Sequence, residues 1–110
     1  MKIAIMNCQK ADVTCTAAGC MKAFNARSGG FAEYGDQPIE LVAFMHCNGC
    51  GQSIENNESL AKKLERLERE GVEALHVGVC TKKEDGECPT ITGILAEAEK
   101  KGIRPVRGTH

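Results

Sequence analysis

Residues Ile39-Glu40-Leu41-Val42-Ala43-Phe44-Met45-His46-Cys47-Asn48-Gly49-Cys50 decide the fold. From Leu41 to Met45 every position is apolar. Strands read this way when they belong to a parallel sheet covered on both faces. The run stops at Cys47 and Cys50, with two residues between them that suit a tight turn. Open α/β sheets place their sites at such strand ends.

On the C-terminal side, Leu60, Leu64 and Leu67 recur at helical spacing with the small Ala61. The opposite face carries Lys62, Lys63, Glu65, Arg66, Glu68, Arg69 and Glu70. Asn57 is the candidate N-cap and Gly71 the stop. Val72 to Val79 reads as a strand, and Lys82 to Gly86 as a polar turn. Thr90 is the expected cap of a third helix that carries Ile91, Ile94, Leu95 and Ala98 on one face and ends at Gly102. Ile103 to Val106 is a short last strand whose Pro105 places it at a sheet edge. On the N-terminal side, residues 2–7 form the first strand. Thr14 to Arg27 forms a helix with Ala17, Ala18, Met21 and Phe24 on its apolar face, stopped by Ser28-Gly29-Gly30. Residues 31–38 read as a loop.

Strands alternating with helices imply an α/β fold, here a single-domain three-layer sandwich. A four-stranded parallel sheet of order 2-1-3-4 is flanked by three helices, the order following from right-handed crossovers. A chain of 110 residues buries about 65% of its unfolded surface, enough for a core without staples.

Composition excludes several functions. Fifteen acidic residues against 14 basic ones give a net charge of −1, and the aromatics are Phe24, Phe31, Tyr34 and Phe44 alone. Neither a cationic stripe nor a stacking platform is present, so no nucleic-acid partner is expected. No apolar run approaches the roughly 20 residues of a membrane span. The apolar start before Asn7 and Cys8 is too short for a signal-peptide core, so a cytoplasmic location is expected. Thiols stay reduced there, and seven cysteines then point to metal or redox chemistry.

The cysteines follow the strand ends. Cys8 follows the first strand, Cys47 and Cys50 the second, and Cys80 closes the third. Cys15 and Cys88 lie near the starts of the first and third helices, which share that edge of the sheet. Cys8 and Cys80 flank the switch point between strands of opposite winding. Cys20 lies one turn into the first helix, beside Met21 and Phe24, and reads equally as core packing. The Cys47–Cys50 spacing is that of a zinc knuckle. Strands about 4.8 Å apart can bring four sulfurs to the spacing a tetrahedral zinc requires. His46 has the opposite strand parity to Cys47 and points away from the sulfurs. His76 lies too far back along its strand and reads as a hydrogen-bonded core histidine. His110 reads either as a closing metal ligand or as a frayed terminus.

Together these residues resemble the CGGC-domain family of small cysteine-rich proteins. The resemblance runs from the strand ending at Cys8, through Cys15 and Cys20 ahead of Phe24, to Cys47-Asn48-Gly49-Cys50. It continues with His76, Cys80, Cys88-Pro89 and the terminal Gly108-Thr109-His110. Asn48 departs from the glycine of the family name, and Asn also suits a tight turn. The resemblance implies one metal-binding domain over 1–110, with zinc as the metal.

The site expected from strand ends and resemblance comprises Cys8, Cys47, Cys50, Cys80, Cys15, Cys88 and His110. Soft thiolates favour zinc or an iron–sulfur cluster. The compact cysteine runs of bacterial ferredoxins are absent, which favours zinc. The alternative is thiol–disulfide chemistry at Cys47 and Cys50. That reading is weakened by the distance to the helix starting near Asn57, because redox pairs draw their reactivity from a helix N-terminus. The partner expected is therefore a metal ion, with no membrane involved.

Overall fold

The computed structural model describes residues 1–8, 14–48, 52–83 and 86–110. Their strands are β1 (Lys2–Cys8), β2 (Glu40–Cys47), β3 (Ala74–Val77), β4 (Lys82–Lys83), β5 (Gly86–Glu87) and β6 (Arg104–Arg107). The helices are α1 (Ala18–Ala26), α2 (Glu58–Arg69) and α3 (Pro89–Lys100). The main sheet has the order β2-β1-β3-β6, and every neighbouring pair is parallel. This is the expected order, with β6 as the fourth strand. The turn expected at Lys82–Gly86 contains a small antiparallel ladder, in which Lys82 pairs with Glu87.

Right-handed crossovers explain the layers. The chain leaves β1 toward one edge of the sheet, and then crosses back over β1 to reach β3 and β6. The first connection must therefore run on one face and the later two on the other. Leu60, Leu64 and Leu67 of α2 and Ile91, Ile94, Leu95 and Ala98 of α3 pack with Ala4, Met6, Leu75 and Val77. On the other face, Ala23 of α1, Phe31 and Tyr34 pack with Ile3, Ile5 and Ala74. Burial of each large aliphatic side chain contributes about 1.5–3 kcal/mol. The exposed Glu58–Lys62 pair at 3.4 Å contributes only tenths. The leucine stripe, not the charged face, therefore holds α2 in place.

Several boundaries differ from the sequence reading. Ala17 has φ 62°, outside the right-handed region, so α1 begins at Ala18 rather than Thr14. Arg27, with φ 54°, closes it by donating its N–H to Ala23 and Phe24. The expected loop at 31–38 overlaps a 3₁₀ helix, Gly29–Tyr34. Cys88, not Thr90, is the N-cap of α3, with Pro89 filling the first turn where no N–H is needed. The Thr90 hydroxyl instead donates to the Gln52 carbonyl. Asn57 caps α2 as expected, accepting from the Leu60 N–H at 3.1 Å. β2 is a parallel strand, as its apolar run implies, but it lies at the sheet edge and is covered mainly on one face. Phe44 is consequently 37% exposed. Among the described residues, no helix is long and apolar enough to cross a membrane.

Candidate metal centre

β1 and β3 are the central strands, and their connections leave in opposite directions. The crevice between their C-terminal ends is the switch point. Cys8 is the last residue of β1, and Cys80 lies in a 3₁₀ turn, Val79–Thr81, just after β3. The turn folds back on itself. The N–H and the hydroxyl of Thr81 both donate to the Gly78 carbonyl, at 3.1 and 2.7 Å. Cys80 Sγ is thereby returned to β1, where it accepts the Cys8 N–H at 3.3 Å. A Cβ at Gly78 would lie 2.6 Å from Asn7 Oδ1 and 3.2 Å from Cys80 Sγ. Only glycine leaves room for this approach.

Cys47 is the parallel partner of Cys8 in the ladder. Paired residues in adjacent strands project to the same face, so these two thiols stand side by side. Cys47 is 5% exposed and packs with the α2–α3 core. His46 pairs with Asn7 in the ladder and therefore projects to the other face, as its parity implies. Lys63 Nζ donates to the His46 carbonyl at 2.7 Å and holds the end of β2.

Burial pushes the Cys80 thiol up. The Cys8 N–H opposes that shift by favouring the thiolate, and the neighbouring Cys8, Cys15 and Cys20 raise it further by mutual repulsion. The like-charge coupling ties Cys15 and Cys20 to this crevice as well. Cys15 is exposed, and its Sγ accepts the Ala17 N–H at 3.3 Å. Cys20 is buried, with Sγ 2.9 Å from Thr109 Oγ1 and 3.7 Å from Asn7 Oδ1. The sequence left Cys20 between packing and site. Its role depends on the chain terminus returning to α1, which no local pattern announces.

Of the remaining expected residues, Cys88 packs on the same core as Cys47, and its N–H donates to the Thr81 carbonyl, one residue beyond Cys80, at 3.0 Å. Cys88 lines a cleft with Gln52, Ser53, Pro89 and Thr90 at the start of α3. The ring of His110 lies against Gly19, where a Cβ would approach its Nε2 to 2.9 Å. It borders a shallow surface cleft with Lys22 and Ser28. Cys50 lies outside the described residues. Among the described residues, no three Cys, His, Asp or Glu side chains are grouped so that they could hold a metal ion.

His76 is a core residue, fully buried, with Nε2 2.6 Å from Tyr34 Oη and its ring 4.4 Å from that of Phe31. Arg104 donates to the same Tyr34 oxygen at 3.4 Å. The Tyr34 oxygen thus joins Arg104 and His76 in one hydrogen-bonded group. Burial is the main cause that lowers the His76 pKa to about 4; Glu33 raises it and Arg104 lowers it.

The family model of the CGGC domain matches residues 2–110. An uncharacterized protein of Methanocaldococcus jannaschii is 39% identical over 122 aligned positions, which cover 100% of this chain and 87% of that protein. No solved structure matches the chain.

Proposed function

This chain belongs to the CGGC-domain family, and from that premise we propose that it binds a thiophilic metal ion, zinc, at the switch-point crevice. The observation that carries the reading is the return of Cys80 Sγ to the Cys8 N–H, beside the Cys8–Cys47 ladder pair. Cys8, Cys47 and Cys80 come from the ends of three strands at one edge of the sheet. Cys8, Cys47 and Cys80 would hold the metal, and Cys50, three positions after Cys47 in the sequence and outside the described residues, would close the shell. The donor chemistry fits: sulfur ligands suit zinc and disfavour magnesium and calcium. An N–H aimed at a sulfur favours its charged form, the form a metal needs. Cys15 and Cys20 stand next to this set, and the Cys88 N–H donates to the carbonyl of Thr81, the residue after Cys80, at 3.0 Å. Bound zinc would be a stable divalent centre without redox change of its own. The reading is of a binding module rather than of an assigned catalyst.

Binding should release protons, because thiols must ionise to become ligands. The test titrates reduced, metal-free chain with zinc against a chromophoric chelator in weakly buffered solution. The expected result is one zinc per chain withdrawn from the chelator, with two or more protons released per zinc. A chain that takes no zinc from the chelator, or takes it without releasing protons, contradicts the reading.

A further inference from the structure

The geometry that brings Cys80 to β1 also sets its sulfur against the backbone of a second cysteine. Cys80 Sγ lies 3.3 Å from the Cys8 nitrogen. The Cys8 Cα is one N–Cα bond, about 1.46 Å, from that nitrogen. Rotation of Cys8 about χ1 is then the main movement needed to direct its sulfur toward that of Cys80. Both thiols are partly exposed, so a small solute can reach them. The Thr81 hydrogen bonds to Gly78 hold the turn in this position.

The other thiols are less suited to pairing with Cys8. Cys47 is its ladder partner, and strands about 4.8 Å apart hold paired side chains parallel to each other. A disulfide needs a Cβ–Cβ separation of about 3.8 Å, which would pinch that ladder. Cys47 is also 5% exposed. Cys20 is 3% exposed and engaged with Thr109.

We propose that Cys8 and Cys80 form a reversible oxidation site, at which a hydroperoxide drives closure of a disulfide between their sulfurs. The thiolate of one cysteine attacks the distal peroxide oxygen. An S–O bond forms and the O–O bond breaks. The leaving oxygen takes a proton and departs as water from hydrogen peroxide, or as an alcohol from an organic hydroperoxide. The second thiol then attacks the sulfenic sulfur. The S–S bond forms, the S–O bond breaks, and the hydroxyl leaves with the thiol proton as water. Two thiols are oxidised by two electrons, and one peroxide is reduced. The site shares two sulfurs with the proposed metal centre but needs no metal, so it stands or falls separately. Where zinc binds there, the disulfide removes two of its ligands.

The test exposes the reduced full-length chain to one equivalent of hydrogen peroxide, with chelator or with added zinc, followed by trypsin and mass spectrometry. Cleavage after Lys2, Lys10, Arg69 and Lys82 separates Cys8 in peptide 3–10 from Cys80 in peptide 70–82. In the chelator arm these two peptides should appear linked. The protein should lose two of its seven thiols, and dithiothreitol should restore both. Cys20→Ser should keep the link, and Cys8→Ser and Cys80→Ser should each abolish it. The same link at the same rate with added zinc would support this site while counting against the metal reading. A link from peptide 3–10 to the peptides of Cys15 or Cys47 would overturn the proposal. So would a sulfinic acid at Cys80 with no link in the wild-type chain.

Discussion

Cys8→Ser and Cys80→Ser should each lower zinc per chain by at least tenfold after gel filtration, with the circular dichroism spectrum unchanged. Serine keeps the size of the side chain but is a far weaker ligand at neutral pH, because its hydroxyl does not ionise there. Metal ligands act together, so removing either one opens the shell for the whole ion. The fold should survive because its core lies elsewhere. Leu60, Leu64, Leu75, Ile94 and Leu95 are each at most 1% exposed and fill the face below α2 and α3. Cys20→Ser should leave metal content near that of the wild type. Its sulfur is held by Thr109 and Asn7, and Asn7 projects from β1 to the face opposite Cys8. The readout is elemental analysis of the variants beside the wild type. Wild-type metal content in Cys8→Ser and Cys80→Ser would remove the thiolate centre from this crevice.

The second large effect concerns acid. His76 titrates near 4 in the folded chain, whereas an unperturbed histidine titrates near 6.5. Below pH 6.5 the unfolded chain takes up a proton that the folded chain refuses. The stability tied to neutral His76 is therefore whole above pH 6.5 and drains as the pH falls toward 4. Between pH 7 and pH 5 the loss should be about 2 kcal/mol, read from urea unfolding at each pH. The physical cause is local. Protonation would place a charge on a fully buried ring stacked on Phe31. His76→Gln should be less stable at pH 7 and should lose most of the slope between pH 7 and 5. A different group governs lower pH. Burial would raise the Glu87 pKa, but hydrogen bonds from Arg107 and Thr92 outweigh it and hold the carboxylate below its usual range. Its contribution is present above the ordinary glutamate range and fades as the pH falls through that depressed value. An unchanged slope in His76→Gln would contradict the assignment.

The order of strands and helices was legible because each element carries its own periodicity. The leucines of α2 and the apolar runs of β1 and β3 announce their burial within a few residues. The switch point followed from topology, and so did the placement of Cys8 and Cys80 on either side of it. What the sequence concealed depends on distant partners. The apolar run of β2 signals a parallel strand, but nothing within it says that one face would be left with little cover, as Phe44 is. The left-handed backbone at Ala17 that shortens α1 belongs to a residue type that usually favours helices. The engagement of Cys20 requires Thr109, 89 positions away. Cys88 and His110 sit at the ends of elements near the functional edge, and that proximity in topology drew them into the expected ligand set. Cys88 lies beside Thr81, Gln52 and Ser53, and the His110 ring lies against Gly19.

The most direct measurement of the central claim is elemental analysis of chain purified without air, joined to X-ray absorption at the edge of whatever metal is found. The account predicts a colourless protein with one zinc per chain and a shell dominated by sulfur at about 2.3 Å. A brown protein carrying iron and sulfide would replace zinc by a cluster at the same edge. A metal-free chain that takes up no zinc, or zinc surrounded only by oxygen and nitrogen, would contradict a thiolate centre.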